Sequence, residues 1–469
     1  MQLIISKFKE IIKQTNDMIE AEKEIKRYTE ALITDCLGAV FEEIDGVIEE
    51  EKILEGWKRV RQDNRTIHFS FGAVPFSRTL MQAPNQDTSH YPLDQFLHLR
   101  PYQRYSSLVE VKTAELASEA DYRTTARTLQ EWTNVTMSHS SVGKIVRLVG
   151  EAQSKEDAAM IQELEEADGL PAAEKIDHLF AEADGVYVRS TKKKKSIEVK
   201  HGITYEGWAR NGRRVSLEGV HVYMTTKDVD SFWNHVQAGS AHLYDLRQTQ
   251  VVSNSDGSLG YTAERFKSAF SQSEKPVINQ LDAYHIQQGL NRAFGVKHEF
   301  KPSVKKAIEQ KDEDAFIRWM DTYESMLENE KKIERVQKFK QYILNNWSRI
   351  QDWRNEVEDT PDNARSLGAM ESHQRHVTFR MKKRGMHWSD DGAESMVKVK
   401  QGMINGTLRG VYLKHQRRSA REHRRVKQTV RMSAYLKQPT RPAIGVKQGS
   451  ISLYTSHSSA GGKLRKIFR

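Results

Sequence analysis

Three carboxylates sit where a phosphoryl-transfer enzyme would want them. Asp184 heads Asp184-Gly185-Val186-Tyr187-Val188, the start of an alternating stretch. Asp256 follows the short alternating run Arg247 to Asn254. Glu371 lies in helical sequence beyond a long helical segment. Hard oxygen ligands with open positions suit Mg2+ or Mn2+. Two such ions roughly 4 Å apart stabilise both the attacking and the leaving oxygen of an in-line displacement. The chain holds 63 acids, so a choice of any three proves little. What singles these out is the expected layout. A sheet that pairs its first strand with its fourth would set Asp184 beside Asp256, and a helix packed across it could bring Glu371 near. Asp282, which ends the next strand, is the alternative second ligand; the strand order favours Asp256.

The elements that must position these acids come in a readable order. Residues 1–60 read as helical, and Arg65 to Met81 as a β-hairpin broken at Gly72. Tyr122 to Val149 reads as two short helices with a turn near Asn134 and Ser138 as the second N-cap, the length and break of a helix-turn-helix. Its groove-facing candidates are His139, Ser140, Lys144 and Arg147. An acidic helix and linker follow. From Asp184 onward the order is β-β-β-α-β-α-β, with a lysine-rich turn at Lys192 to Lys195 and a hairpin turn at Asn211-Gly212. Pro302 to about Glu358 reads as long helix, and a further helix from about Ala364 to Lys383 carries Glu371 and stops at Gly385.

Composition narrows the class. At 469 residues the chain exceeds one ordinary core. No apolar run is long enough to span a bilayer, so no membrane role is expected. Cys36 is the only cysteine, which rules out internal disulfides and cysteine-built zinc sites and fits a reducing, cytoplasmic compartment. Its apolar neighbourhood, Ala31 to Val40, predicts a buried thiol. The net charge of +10 is uneven: Gln401 to Arg469 holds 16 Lys and Arg against a single acid, Glu422. Such a tail suits a polyanion, most simply nucleic acid.

The motifs together resemble a known family. Asp184-Gly185-Val186, Ser255-Asp256-Gly257, Leu281-Asp282-Ala283-Tyr284-His285, Gly368-Ala369-Met370-Glu371, then Arg375, His376 and Met381 to Ser389, are similar in order to the bacterial insertion-sequence transposases of the ISLre type, in the Mutator-like group of Asp-Asp-Glu transposases. The resemblance implies an α/β chain with an RNase H-like catalytic core and an all-helical insertion. It implies Asp184, Asp256 and Glu371 as ligands of two Mg2+ (or Mn2+) ions, and Asp282 and His285 as an Asp-x-x-His motif that helps position DNA. Read without the family, His285 is a core or capping histidine beside Tyr284. Arg375, Lys382, Lys383 and Arg384 are the phosphate-contact candidates near the glutamate.

The expected organisation is a helical region at 1–60, available for oligomerisation; a hairpin and helix-turn-helix region at 61–150; an acidic linker at 151–180; the first part of the core at 181–298; the insertion at 299–362; the glutamate helix completing the core at 363–400; and a basic tail at 401–469. The expected function is cleavage and strand transfer at element ends, with DNA (terminal inverted repeats and a target duplex) as partner and a homodimer or higher oligomer near the nucleoid as the working form. An RNase H-like nuclease without strand transfer and a non-catalytic DNA-binding protein are the rival readings.

Overall fold

A computed structural model describes residues 1–84, 88–166 and 173–418, and they form a mixed α/β protein. The arginine-rich tail beyond 418, including Arg421, Arg424 and Arg425, lies outside the described residues. No helix among those described is long and apolar enough to cross a membrane.

Two helices, α1 (Gln2–Gln14) and α2 (Met18–Leu54), lead into a hairpin of β1 (Lys58–Phe69) and β2 (Gly72–Gln82), to which the short β3 (Ser89–His90) adds. Helix α2 packs on β2 through Phe41, with Leu37, Ile44 and Ile48 beside it. Gly38 lies so close to the Pro75 carbonyl that a Cβ there would be 2.7 Å from its oxygen. Cys36 points away from that seam and is exposed, so the expected buried thiol is corrected: the stretch is apolar, but only one stripe of it faces the hairpin.

After α3 (Pro92–Phe96) come α4 (Ser107–Glu119), α5 (Tyr122–Trp132) and α6 (His139–Glu166). Asp121 caps α5, and Ser138 accepts the Ser141 N–H as the cap that the sequence predicts. The second helix is not short. It runs 28 residues, straight through the expected boundary at 150.

The central sheet has the order β10–β9–β4–β5–β8. Its strands are β4 (His178–Arg189), β5 (Ser196–Tyr205), β8 (His221–Thr225), β9 (Gln250–Ser255) and β10 (Ile278–Leu281). Strands β4, β5 and β8 are antiparallel neighbours, while β9 and β10 run parallel to β4. Between β5 and β8, β6 (Gly207–Asn211) and β7 (Arg214–Glu218) form their own hairpin, turned at Gly212 with φ 61°. The crossovers are α7 (Val229–Leu243) and α8 (Ala263–Ala269), capped by Asp228 and Thr262.

Strand β4 begins six residues earlier than its alternation suggests. Leu179, Phe180, Ala181 and Ala183 are all buried, because both faces of the strand are covered, and a strand buried on both faces loses its period-two signature. Asp184 is therefore in mid-strand and not at its head.

The expected long helix is three: α9 (Ala283–Phe294) leads to α10 (Lys301–Glu309), α11 (Glu313–Ser325) and α12 (Glu330–Asn345). The breaks fall at Lys311, with φ 54°, at the Asp312 cap and at the Asn329 cap. These helices enclose a core of their own around Phe316, Met320 and Phe339. The glutamate helix is also broken, into α13 (Ala369–His373), α14 (Arg375–Val377) and a π-helical turn, Thr378–Lys382. It stops at Gly385, φ 67°. Last come α15 (Asp390–Ile404) and a helical stretch at 408–418. Helix α15 packs on α6, and both share the main core with Phe180, Val186 and Val252 of the sheet.

Candidate active site

Register brings two acids together. Glu182 of β4 lies opposite Asn254 of β9, in parallel pairing. Two residues further along each chain stand Asp184 and Asp256. Asp184 is pushed up to about 6, first by burial and next by the charge of Asp256. The Gly185 N–H, the His285 ring and the Gln374 amide all act in the opposite direction. The Gln374 amide donates to Asp184 Oδ2, and the Gly185 N–H to Oδ1 at 2.6 Å.

Asp256 is held by its own loop and by the helical insertion. Its Oδ1 accepts the Ser258 N–H at 2.9 Å. The Tyr342 hydroxyl of α12 donates to its carbonyl at 2.9 Å. Buried Arg349 donates to Ser255 Oγ at 2.8 Å, Asn279 Oδ1 at 2.5 Å and Asn346 Oδ1 at 2.7 Å. Gly257 has φ 75°, and a Cβ there would lie 2.5 Å from the Arg349 guanidinium, so glycine is needed twice over.

Asp282 follows β10 and caps α9. It accepts the Tyr284 N–H at 3.1 Å and pairs with His285 Nδ1 at 2.7 Å. That bond is the main reason His285 is raised, with the charges of Asp184 and Asp256 adding to it. His285 is thus a cation-leaning ring beside the two acids and also a partner of a cap.

Glu371 does not join them. It is exposed on α13, and among the described residues no three His, Cys, Asp or Glu side chains stand close enough to hold a metal ion. Its helix is nonetheless tied to the site at both ends. Buried Glu182 accepts the N–H groups of Gly368, Ala369 and Met370 at 3.0–3.1 Å, besides the Tyr205 hydroxyl at 2.7 Å. Gln374, three residues past Glu371, reaches Asp184. Sequence reasoning missed both residues. The available signals were the two-residue spacing of Glu182 and Asp184 on one strand and the three-residue spacing of Glu371 and Gln374 on one helix.

The remaining candidates lie on the surface. Arg375, Lys382, Lys383 and Arg384 are exposed, the last stacking over Phe379 at 4.7 Å. His139, Ser140, Lys144 and Arg147 share an exposed side of α6. Between Phe379 and Lys382, Arg380 is buried, donates to the Ala117 carbonyl at 2.9 Å, and lies over Tyr122 and Trp388.

A family model described as an uncharacterised protein family (UPF0236) matches residues 12–418. The chain belongs to the UPF0236 family. A UPF0236 protein in the vanSb 3′ region of Streptococcus gallolyticus is 30% identical over 415 residues, 87% of this chain and 88% of that one. Two UPF0236 proteins of Caldanaerobacter subterraneus subsp. tengcongensis are 24% and 23% identical, covering 86% and 85% of this chain and 82% and 80% of their own. The second bears a name that joins eleven locus designations. The UPF0236 match spans every residue of the site described above.

The acid pair suits a divalent cation. Burial first, and the charge of Asp256 next, raise Asp184 to about 6, and a cation between the two acids would offset both. Mg2+ is commonly held by one or two carboxylates, with water and substrate phosphate completing the shell.

Proposed function

We propose that this chain is the DNA transposase of an insertion sequence, a metal-dependent enzyme with an RNase H-like core of the Asp-Asp-Glu kind. The observation that carries the reading is the convergence of Asp184 and Asp256 where β4 meets β9 in parallel. Support comes also from the sheet: three antiparallel strands followed by two parallel ones, with acids in the first strand and after the fourth, is the layout an RNase H-like core requires. The relative whose name joins eleven loci adds to it, since a gene that moves by copying or excision accumulates in one genome.

In this reading Asp184 and Asp256 hold Mg2+, which when bound activates the attacking hydroxyl and stabilises the leaving oxygen. Gln374 fixes the rotamer of Asp184. Arg349 and Tyr342 fix the loop of Asp256. His285, oriented by Asp282 through Nδ1, offers Nε2 to a phosphate oxygen. Glu371 is recruited as the third carboxylate when DNA binds. The exposed side of α6 and the Lys382–Arg384 run contact the DNA backbone.

The deciding experiment is joining of a pre-cut 3′ end to a target duplex in Mg2+, with D184N as control. Joining that D184N abolishes is the expected result. Hydrolysis without joining would instead make the protein a nuclease, and no Asp184-dependent reaction at all would leave the non-catalytic reading.

A further inference from the structure

A cavity of about 650 Å3 opens beside Asp256, between α9 and α12. Asp256, His285 and Tyr342 line it, and so do Arg292, Arg335 and Lys338. Its walls are fixed. Gly289 of α9 lies so close to Phe339 of α12 that a Cβ would be 2.7 Å from the ring, so the helices cannot slide without opening the core beneath. Lys338 pairs with Glu334, but among the described residues neither arginine has an ion-pair partner. Both guanidinium groups are exposed and face solvent without a protein acid to hold them, and planar guanidinium forks match phosphate oxygens.

We infer that this cavity is a binding site for a single DNA strand, holding the phosphate next to the one that is cut. The inference rests on the reading of Asp184 and Asp256 as the cutting site, and it adds where the strand goes from there. The volume is in the range of small-ligand pockets, about 300–1,000 Å3, enough for one nucleotide unit. Cations combined with an aromatic wall are what sequence-tolerant strand binding uses. The Tyr342 hydroxyl bond to the Asp256 carbonyl links the occupant to the acid loop directly. The site belongs to the helical insertion as much as to the sheet, which gives the insertion a substrate-holding task.

The test uses the full chain in EDTA, so that binding is read apart from cutting. Fluorescence anisotropy with a short fluorescein-labelled oligothymidylate compares the unaltered protein with R292A/R335A. A second double variant, K331A/K332A, removes the same charge from α12 outside the cavity. R292A/R335A should bind about tenfold or more weakly, with the slope of log affinity against log salt reduced by about 0.7 for each lost phosphate contact. K331A/K332A should bind within about twofold of the unaltered chain. Equal losses in both variants would mean a general positive field and overturn the site, as would no loss in either. Matching thermal melts establish that R292A/R335A is folded. Cutting of DNA by the unaltered chain in Mg2+ is scored separately. If it fails while R292A/R335A still loses the oligonucleotide, the cavity stands and the cutting reading falls. If cutting occurs and R292A/R335A binds normally, the reverse holds.

Discussion

Glu182 and Asp184 stand two residues apart on one face of β4 and do different work. The first is buried and seats the start of α13 through three main-chain N–H groups; the second points its carboxylate at the far end of the same segment, to Gln374. One strand therefore fixes both ends of the segment that carries Glu371.

Replacing Glu182 by Gln removes a charged acceptor and places an amide donor against N–H donors. Buried charge-assisted bonds of this kind are worth about 1.5–3 kcal/mol each. Urea unfolding should show E182Q less stable by about 2–4 kcal/mol. Cleavage should fall further than the loss of folded protein explains, because α13 loses its seat. Unchanged stability would mean that the three N–H groups find other partners.

Asp184 gives a pH signature. A carboxyl raised in the folded state contributes stability while protonated, fully below its unfolded value near 3.8, and that contribution is lost as the pH rises through about 6. Without divalent ions, D184N should match the native protein near pH 4 and exceed it above pH 6, by up to about 3 kcal/mol for a shift of some two units. Mg2+ should raise the melting temperature of the native chain at pH 7 and leave D184N unmoved. Parallel pH profiles for the two proteins would remove the case for the acid pair.

Glu371 stands apart from that pair, which separates two measurements. Isothermal titration of the DNA-free protein with Mg2+ should give the same affinity for E371Q as for the native chain, whereas D256N should weaken it at least tenfold. Strand cleavage by E371Q should nevertheless drop about 100-fold or more, the scale of losing a group that acts in the transition state. Loss of Mg2+ affinity in free E371Q would place Glu371 in the resting site instead.

Arg349 donates to Ser255, Asn279 and Asn346 from a buried position. R349M keeps the bulk and leaves these acceptors unpaired. Denaturant unfolding should show a loss of about 1–3 kcal/mol, the cost of leaving a buried acceptor unsatisfied. R349K, with one ammonium in place of a planar fork, should recover less than half of it. Full recovery by lysine would mean that only the charge matters.

What could be read in advance followed local chemistry. The Ser138 cap stands where a hydroxyl precedes an apolar helical period, and Asp256 follows the strand that its alternation marks. The misses have physical causes. The first half of β4 is buried on both faces and so does not alternate. The breaks near Lys311 and Asn329 were marked only by cap residues inside a continuous apolar stripe. Glu371 is set by the irregular path from 346 to 368, which no periodicity describes. The helix expected to end at Val149 runs on through Gly150, where a Cβ would lie 2.4 Å from the Ser395 carbonyl oxygen.

That contact has a consequence for how this protein can change. Helix α6 offers His139, Lys144 and Arg147 to the outside at its beginning, and a dozen residues on it is the backbone against which α15 closes the main core. The exposed start of α6 and the packing of the main core therefore share one girder. A foreign N-terminal module cannot be grafted at residue 150 without cutting this helix. Change on this helix is confined to point substitutions on its outer side, because its inner side is not free to vary.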